Sequence, residues 1–310
     1  MKYIRKFATE AEYSAATPYY PSVSWVVSGD TVHYDKEAPI YPNAIITYEH
    51  YVKLEENDIN TEQFRGRDNS QLSIVKHTFE NGTGTIVFNN DVIAVGNGIQ
   101  VFNNEFPSSL ELPNSVQRIG NSAFAYSGLQ SISLPSGLTS IGDGAFEYTQ
   151  LQSISLPSGL TSIGDGAFNS TYISSIIIPS GVTAIGDYTF ANCSMLNYFT
   201  IPNSVVSIGS YAFNASSLRQ LNIGSGVTSI GNAAFQNCFN LGDITCNATT
   251  APTLGNYVFG DVDDYGTLHV PQGCGCTGSG SGSGSGGCSS PCGYDTWKIE
   301  LGDWSIAEIS

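Results

Sequence analysis

An internal repeat constrains this chain more than any other feature of its sequence. The segment LQSISLPSGLTSIGDGAF occurs at residues 129–146 and recurs unchanged at residues 151–168. Degenerate copies continue on both sides, each with an Ile-Gly pair and a phenylalanine five positions after the isoleucine. The isoleucines, which are 22 or 23 residues apart, are Ile119, Ile141, Ile163, Ile185, Ile208 and Ile230, and the phenylalanines are Phe124, Phe146, Phe168, Phe190, Phe213 and Phe235. This period predicts a solenoid, in which each turn buries its apolar side against its neighbours.

Each repeat predicts two extended segments. Before the proline, apolar and polar residues alternate, so Ile132 and Leu134 are expected to face the core and Ser131 to face solvent. The same holds for Ile154 and Leu156 in the next copy. The Ile-Gly segment follows, and its glycine is expected to permit a backbone bend. The fold is therefore predicted to be mainly β, a solenoid of 22–23-residue turns, and its structural core is expected to include Ile141, Phe146, Ile163, Phe168, Ile185 and Phe190.

The segments outside the repeats suggest further units. The N-terminal part predicts a small α+β module, with a short helix at residues 10–16 and a hairpin turning through three residues at 28–30. Asn81-Gly82 predicts a second hairpin. Trp297 and Trp304 are expected to close the far end. The predicted organisation is an anchoring module at residues 1–40, a connector and N-terminal cap at 41–95, the repeats at 96–271, a flexible Cys/Gly/Ser-rich insertion at 272–293 and a C-terminal cap at 294–310.

Composition excludes several classes of partner. The formal net charge is −16, and Arg219 is the one basic residue between positions 119 and 297. Binding of nucleic acid requires clustered Lys and Arg, so we expect no nucleic-acid partner. No stretch approaches the ~20 apolar residues of a membrane-spanning helix, so we expect no membrane insertion. The first residues carry positive charge without an apolar run behind them, and we expect no secretory signal peptide there.

The repeat residues resemble the BspA-type leucine-rich repeat family, which is common in proteins of gut Bacteroidetes and occurs in some parasitic protists. The LxxIxLPxxxxxIGxxAF pattern carries the resemblance from about residue 74 to residue 271, and Asn192-Cys193 and Asn237-Cys238 match the family's cysteine after the phenylalanine. The resemblance implies a right-handed, β-solenoid-like leucine-rich repeat stack that is displayed on a surface for binding or adhesion and has no catalytic residues. The opening segment also looks like an N-terminal segment of Bacteroides surface proteins and phage-encoded structural proteins.

Candidate chemistry is sparse. The four histidines lie outside the regular repeats and in no catalytic motif, so we expect no enzyme activity and no cofactor. Four thiols could form two disulfides or bind zinc; they are Cys274, Cys276, Cys288 and Cys292. We favour disulfides or unpaired structural thiols over zinc. The remaining cysteines, Cys193, Cys238 and Cys246, are expected to be small buried residues.

Two groups of aspartates have alternative interpretations. Asp261, Asp263 and Asp264 are close enough to suggest calcium, but they lack the glycine and the distant glutamate of an EF-hand, and we favour a solvated loop. Asp143, Asp165 and Asp187 recur once per turn. We expect their side-chain oxygens to cap the turns.

Binding is expected on the outward columns of the strand before the proline. Position three of this strand offers Ser109, Ser131, Ser153, Ser175, Tyr198, Gln220 and Asp243, and position five offers Glu111, Ser133, Ser155, Ile177, Thr200, Asn222 and Thr245. Aromatic and arginine side chains are the usual anchors of an interface. The predicted binding residues are therefore Tyr198, Arg219, Gln220 and Asn222, with plain solvent cover as the alternative.

These observations together predict a non-enzymatic recognition or adhesion protein that faces the extracellular side and binds a protein or glycan on a cell surface. The first hypothesis places it on the outside of a phage virion, as a fibre or decoration protein. The alternative is a bacterial cell-surface adhesin for host matrix protein or glycan. A third possibility is a structural assembly subunit. A homo-oligomer is compatible with each, and a fibre would imply a trimer.

Overall fold

The computed structural model describes residues 92–96, 108–274 and 292–309, without the side chains of residues 298 and 299, and adds the backbone of six earlier strands. The elements are β1 (Trp25–Ser28), β2 (Thr31–Tyr34), β3 (Ile45–Glu49), β4 (Phe64–Arg65), β5 (Ile74–Glu80), β6 (Thr83–Phe88), β7 (Ala94–Val95), β8 (Ser109–Glu111), β9 (Arg118–Ile119), β10 (Ser131–Ser133), β11 (Ser140–Ile141), β12 (Ser162–Ile163), β13 (Ala184–Ile185), β14 (Tyr198–Ile201), β15 (Ser207–Ile208), β16 (Gln220–Ile223), β17 (Ser229–Ile230), β18 (Asp243–Cys246), β19 (Thr253–Leu254), β20 (Thr267–Pro271), α1 (Asp295–Leu301) and β21 (Ser305–Ile309). The described chain is thus mainly β, as predicted.

The N-terminal strands are antiparallel. β1 pairs with β2, and Ser28 lies opposite Thr31, so the turn contains two residues and not the predicted three. A two-residue connection is the commonest way to join strands of a hairpin. β5 and β6 form the hairpin predicted at Asn81-Gly82, since Glu80 lies opposite Thr83. β3 pairs with β6 on one side and with β8 on the other, and β8 is the first of the repeat strands that precede an Ile-Gly segment. The helix predicted at residues 10–16 lies outside the described residues.

The repeats form two parallel ladders. The first ladder contains the strands that precede the Ile-Gly segments, in two sheets: β8 and β10 in one, and β14, β16, β18 and β20, with β21 added at its end, in the other. The second ladder contains the Ile-Gly strands, also in two sheets: β7, β9, β11 and β12 in one, and β13, β15, β17 and β19 in the other. Within each sheet, the repeat strands pair with the equivalent strands one turn away, so Ile141 lies opposite both Ile119 and Ile163. Equivalent side chains of successive turns therefore become neighbours, which confirms the predicted solenoid.

Phenylalanine rings stack through the core from turn to turn. Successive rings lie 5.2 to 5.5 Å apart between centroids, nearly parallel, from Phe124 to Phe259. All of the predicted core isoleucines and phenylalanines are buried. Leu134 and Leu156 are only partly buried, because they pack at the edge of the core, and their predicted orientation is confirmed only in part. Each turn buries apolar surface against the next, and this burial is the main favourable term in folding.

A row of Asn and Asp side chains explains the glycine of the Ile-Gly pair. Asp143 Oδ1 accepts a hydrogen bond from the Asp165 backbone N–H at 3.0 Å, and Asp165 Oδ1 accepts one from Asp187 N–H at 2.8 Å. The predicted turn capping is therefore confirmed. A Cβ on Gly164 would overlap the Asp143 carboxylate and lie 2.5 Å from Asp143 N. The glycine is required by this close approach, and its φ lies outside the left-handed region.

The C-terminal segment covers the last turn. The side chains of Trp297 and Trp304 are buried, and the Trp297 ring lies 5.3 Å from that of Phe259. Trp297 Nε1 donates to Pro252 O at 3.1 Å, and Trp304 Nε1 donates to Asp263 O at 2.7 Å. Buried indole N–H groups need such acceptors. The final phenylalanine ring is consequently shielded from water.

Candidate functional site

The outward side chains of the first ladder form a surface that we call the front face. Alternation within each strand exposes positions three and five and buries positions four and six, as in β14 and β16. Tyr198, Gln220, Asp243 and Thr267 are paired in register across successive strands. Position five forms a second column beside the first, running through Thr200, Asn222, Thr245 and His269.

The four predicted binding residues lie close together on two neighbouring turns. Tyr198, with 61% of its surface exposed, lies directly opposite Gln220. Asn222 is two residues further along the same strand and on the same side, and its Oδ1 accepts a hydrogen bond from Asn247 Nδ2 at 2.7 Å. Arg219 is exposed and comes directly before the strand. We call these four residues the front patch.

An exposed isoleucine beside the front patch was not among the predicted binding residues. Ile177 is 86% exposed, although it occupies a column in which the preceding turns place Ser133 and Ser155. Tyr198 is in the next turn, so an aliphatic and an aromatic side chain are exposed on adjacent turns. The interruption of a serine column by isoleucine would have identified this residue from the sequence.

The front face carries few charges at its C-terminal end. His269 Nε2 lies 3.7 Å from Asp243 Oδ1, and both side chains are partly exposed. This is a surface pair, which contributes little to stability because water screens it. Glu308 lies on the adjacent strand β21, opposite Val270.

A second set of exposed side chains follows the second ladder. Two positions of each turn have left-handed backbone, three and seven residues after the isoleucine or its equivalent, and L-residues rarely adopt this conformation. The first position holds Ser122, Gly144, Gly166, Tyr188, Tyr211, Ala233 and Tyr257, and the second holds Tyr126, Tyr148, Ser170, Asn192, Ala215, Asn237 and Asp261. Five of these fourteen positions hold tyrosine.

These tyrosines form two stacked pairs. The rings of Tyr126 and Tyr148 are 4.8 Å apart, and those of Tyr188 and Tyr211 are 4.9 Å apart and nearly parallel. These tyrosines were not among the predicted site residues. Their recurrence at a fixed distance from the Ile-Gly pair is visible in the sequence, but the left-handed backbone that exposes them is not.

The cysteines have structural roles. Cys274 and Cys292 form a disulfide across a sequence separation of 18 residues, while Cys276 and Cys288 lie outside the described residues. Cys193, Cys238 and Cys246 are buried free thiols, as predicted, and burial raises the pKa of Cys193 and of Cys238 to about 11. Cys193 Sγ lies 3.3 Å from Phe168 O, to which it donates. These thiols are therefore protonated at neutral pH.

No other feature of the described residues suggests a metal centre. Within them, no group of three or more His, Cys, Asp or Glu side chains is arranged to hold a metal ion. Asp261, Asp263 and Asp264 are exposed, and Asp263 Oδ1 accepts a hydrogen bond from Tyr265 N–H at 3.1 Å. This hydrogen bond joins residues two positions apart and belongs to a local turn of the chain. The described part of the chain also holds no helix with the length and hydrophobicity of a membrane span.

Solved structures of bacterial leucine-rich repeat proteins are similar to this chain. A leucine-rich repeat protein of T. pallidum, TpLRR, is 27% identical, over 57% of this chain and 76% of that chain, with a TM-score of 0.41. One from Bacteroides ovatus ATCC 8483 is 19% identical over 80% and 69% of the two chains, with a TM-score of 0.40. The pneumococcal vaccine antigen PcpA is 18% identical over 87% and 82%, with a TM-score of 0.41. No curated protein sequence matches the chain.

The sequence profile of a repeat family matches most of the molecule. The profile described as BspA type Leucine rich repeat region matches with six copies, at residues 57–173, 98–196 and 161–281. These ranges together cover more than half of the chain and include the repeat strands from β7 to β20. The repeats described above, with their Ile-Gly pairs and stacked phenylalanines, are the repeats of this family. The chain therefore belongs to the BspA-type leucine-rich repeat family.

Proposed function

We propose that this chain is a recognition or adhesion protein on a bacterial cell surface and that its front patch binds a protein partner. The observation that carries the proposal is the clustering of Tyr198, Arg219, Gln220 and Asn222 on two adjacent turns, with Ile177 exposed on the turn before. Tyrosine and arginine supply most of the binding energy at interfaces when they become buried there. The preceding turns offer only serines at position three, so the anchors are confined to one region.

The paired strands beneath the front patch also favour binding. The front patch stands on paired strands whose other side is buried in the core, so little backbone order has to be gained when a partner binds. Pre-organisation of this kind reduces the entropic cost of association. The net charge of −16 favours a neutral or basic partner over an acidic one.

Location on a virion remains a prediction. It was based on the N-terminal segment, of which the structure describes only the backbone of β1 and β2 among residues 1–40. The family assignment rests on the repeats and does not bear on that segment. The cell-surface location agrees with the display function that the repeat pattern implies.

The proposal is tested by mutating the front patch. The protein would be applied to an array of immobilised matrix proteins and neutral glycans, alongside the variants Tyr198→Ala and Arg219→Ala. We expect binding to a matrix protein that each substitution weakens about tenfold, which corresponds to about 1.4 kcal/mol.

Ser131→Ala is the matched control, because Ser131 occupies the same column as Tyr198 and lies outside the front patch. Its binding is expected to equal that of the unmodified protein. Equal binding by all three variants would show that the front patch is not the binding site. Binding to glycans alone would contradict the choice of a protein partner.

A further inference from the structure

A gap of two turns precedes the tyrosines in one of the two columns. Three residues after the isoleucine, the column runs through Gly144 and Gly166 before it reaches Tyr188 and Tyr211. Two successive turns thus place no side chain where the next two place stacked rings. We call the surface over these two glycines the glycine shelf.

Tyr188 forms the end wall of the glycine shelf. One face of its ring stacks on Tyr211 at 4.9 Å. The turn of Gly166 lies on the other side, since Gly166 N–H donates to Asp187 O at 2.7 Å, and the opposite face of the ring is therefore on the side of Gly166. The side chain is 46% exposed. A Cβ built on Gly166 would meet nothing closer than Asn169 Cβ, at 3.9 Å. A side chain placed at Gly166 would therefore begin without a close contact.

A row of polar side chains runs along the glycine shelf. Glu147 Oε1 accepts a hydrogen bond from Asn169 Nδ2 at 2.9 Å, and Asn169 Oδ1 accepts one from Asn192 Nδ2 at 3.1 Å. Glu147 Oε2 lies 3.3 Å from the position of a Cβ on Gly144. The carboxylate of Glu147 also raises the pKa of Tyr126. A carboxylate and an amide are therefore held in fixed positions next to the glycines.

We propose that the glycine shelf binds a neutral pyranose ring of a polysaccharide, stacked on the free face of Tyr188 and hydrogen-bonded through its hydroxyl groups to Glu147 and Asn169. The ring would occupy the level that a tyrosine fills in the next turn. Neighbouring rungs of a ladder are ~4.8 Å apart, which suits the thickness of one such ring.

The chemistry of the site selects this class of ligand. The face of an aromatic ring is electron-rich and attracts the weakly positive C–H groups on the apolar face of a pyranose. Sugar hydroxyls can donate to a carboxylate and accept from an amide N–H. An anionic sugar would be repelled by Glu147 and by the net charge of −16. A neutral sugar can contact both the ring of Tyr188 and the side chains of Glu147 and Asn169.

This site is separate from the front patch. Tyr188 follows β13 of the second ladder, whereas the front patch belongs to β14 and β16 of the first. Sugar binding at the glycine shelf would add a second specificity to the proposed adhesion protein. Either proposal can fail without the other.

The deciding substitution is Gly166→Tyr. The chain already carries tyrosine at the equivalent left-handed position in later turns, including Tyr188 and Tyr211, so the fold accepts it there. The new ring would fill the gap and stack on Tyr188. Tyr188→Ala removes the wall instead. Calorimetric titration would use three neutral hexasaccharides, cellohexaose, maltohexaose and mannohexaose, with hexagalacturonate as the anionic comparison.

We expect at least one neutral hexasaccharide to bind at submillimolar concentration and hexagalacturonate not to bind. Gly166→Tyr and Tyr188→Ala should each weaken that binding about tenfold or more. Tyr257→Ala, an exposed tyrosine of the same column, should leave it unchanged. The absence of binding by all three neutral sugars at millimolar concentration would overturn the proposal. Binding that survives Gly166→Tyr, or that Tyr198→Ala abolishes, would do so too.

Discussion

At the scale of single residues, the glycine of each Ile-Gly pair shows what a sequence pattern conceals. Its recurrence with the period of the repeat is evident, and it predicts a constraint on the backbone. The nature of that constraint is not evident, because the Asp143 side chain that fills the space beside Gly164 belongs to the preceding turn. A contact between residues 21 positions apart appears only when the turns are stacked.

Gly164→Ala tests this contact. The added Cβ would overlap the Asp143 carboxylate and force the capping hydrogen bond to Asp165 N–H to lengthen. Overpacking of this kind costs roughly 1 to 3 kcal/mol in the free energy of unfolding. Urea denaturation provides the measurement. Gly159→Ala is the control, since its new Cβ would have 3.8 Å to the nearest atom, Ser136 O, and a loss as large as that of Gly164→Ala would refute the explanation.

At the scale of elements, alternation within the strands predicted which side chains enter the core. The period placed equivalent residues one turn apart, and the parallel pairing of β14, β16 and β18 follows from it. The exposed tyrosine pairs could not be predicted in the same way. Their position depends on left-handed backbone at Tyr126, Tyr148 and Tyr188, and propensity argues against that conformation for tyrosine.

Phe168→Ala tests the stack of rings that joins the elements. The Phe168 ring is buried and lies 5.5 Å from the rings of both Phe146 and Phe190. Its removal leaves a cavity in the middle of the solenoid and should cost about 3 to 5 kcal/mol.

Ser131→Ala is expected to change the free energy of unfolding by less than about 0.5 kcal/mol, because Ser131 is exposed on the front face. Both changes in the free energy of unfolding are to be measured by thermal or denaturant unfolding, followed by circular dichroism. Similar losses in the two variants would mean that the core does not depend on this ring.

At the scale of the whole molecule, a disulfide holds the C-terminal end of the solenoid. The sequence allowed two disulfides or a zinc site among the four C-terminal cysteines, because spacing alone suits both. The folded chain brings Cys274 and Cys292 together at a Cα–Cα distance of 5.2 Å and so settles the pairing of these two. Ala251 N–H donates to Cys292 O at 2.8 Å, which attaches the disulfide to the last turns.

Reduction of this disulfide should loosen the C-terminal end. Closing a loop of this length restricts the unfolded chain, which contributes about 3 kcal/mol to stability. In a Cys276→Ser, Cys288→Ser background, dithiothreitol is expected to lower the midpoint of thermal unfolding. Adding Cys274→Ser and Cys292→Ser should lower it equally and abolish the response to dithiothreitol. A midpoint that dithiothreitol does not move would indicate that the disulfide contributes nothing.

Because residues 129–146 recur unchanged at residues 151–168, the length of the solenoid can change by one whole turn at a time. Ile141 and Ile163 lie opposite each other in register, and the residues around them are the same in both turns. Excision of residues 142–163 would join Ile141 to Gly164 and leave a seam like those already present. The molecule would shorten by one strand spacing, ~4.8 Å. Unequal recombination within its own gene could thus lengthen or shorten the solenoid, while the C-terminal segment that covers its last turn stays intact.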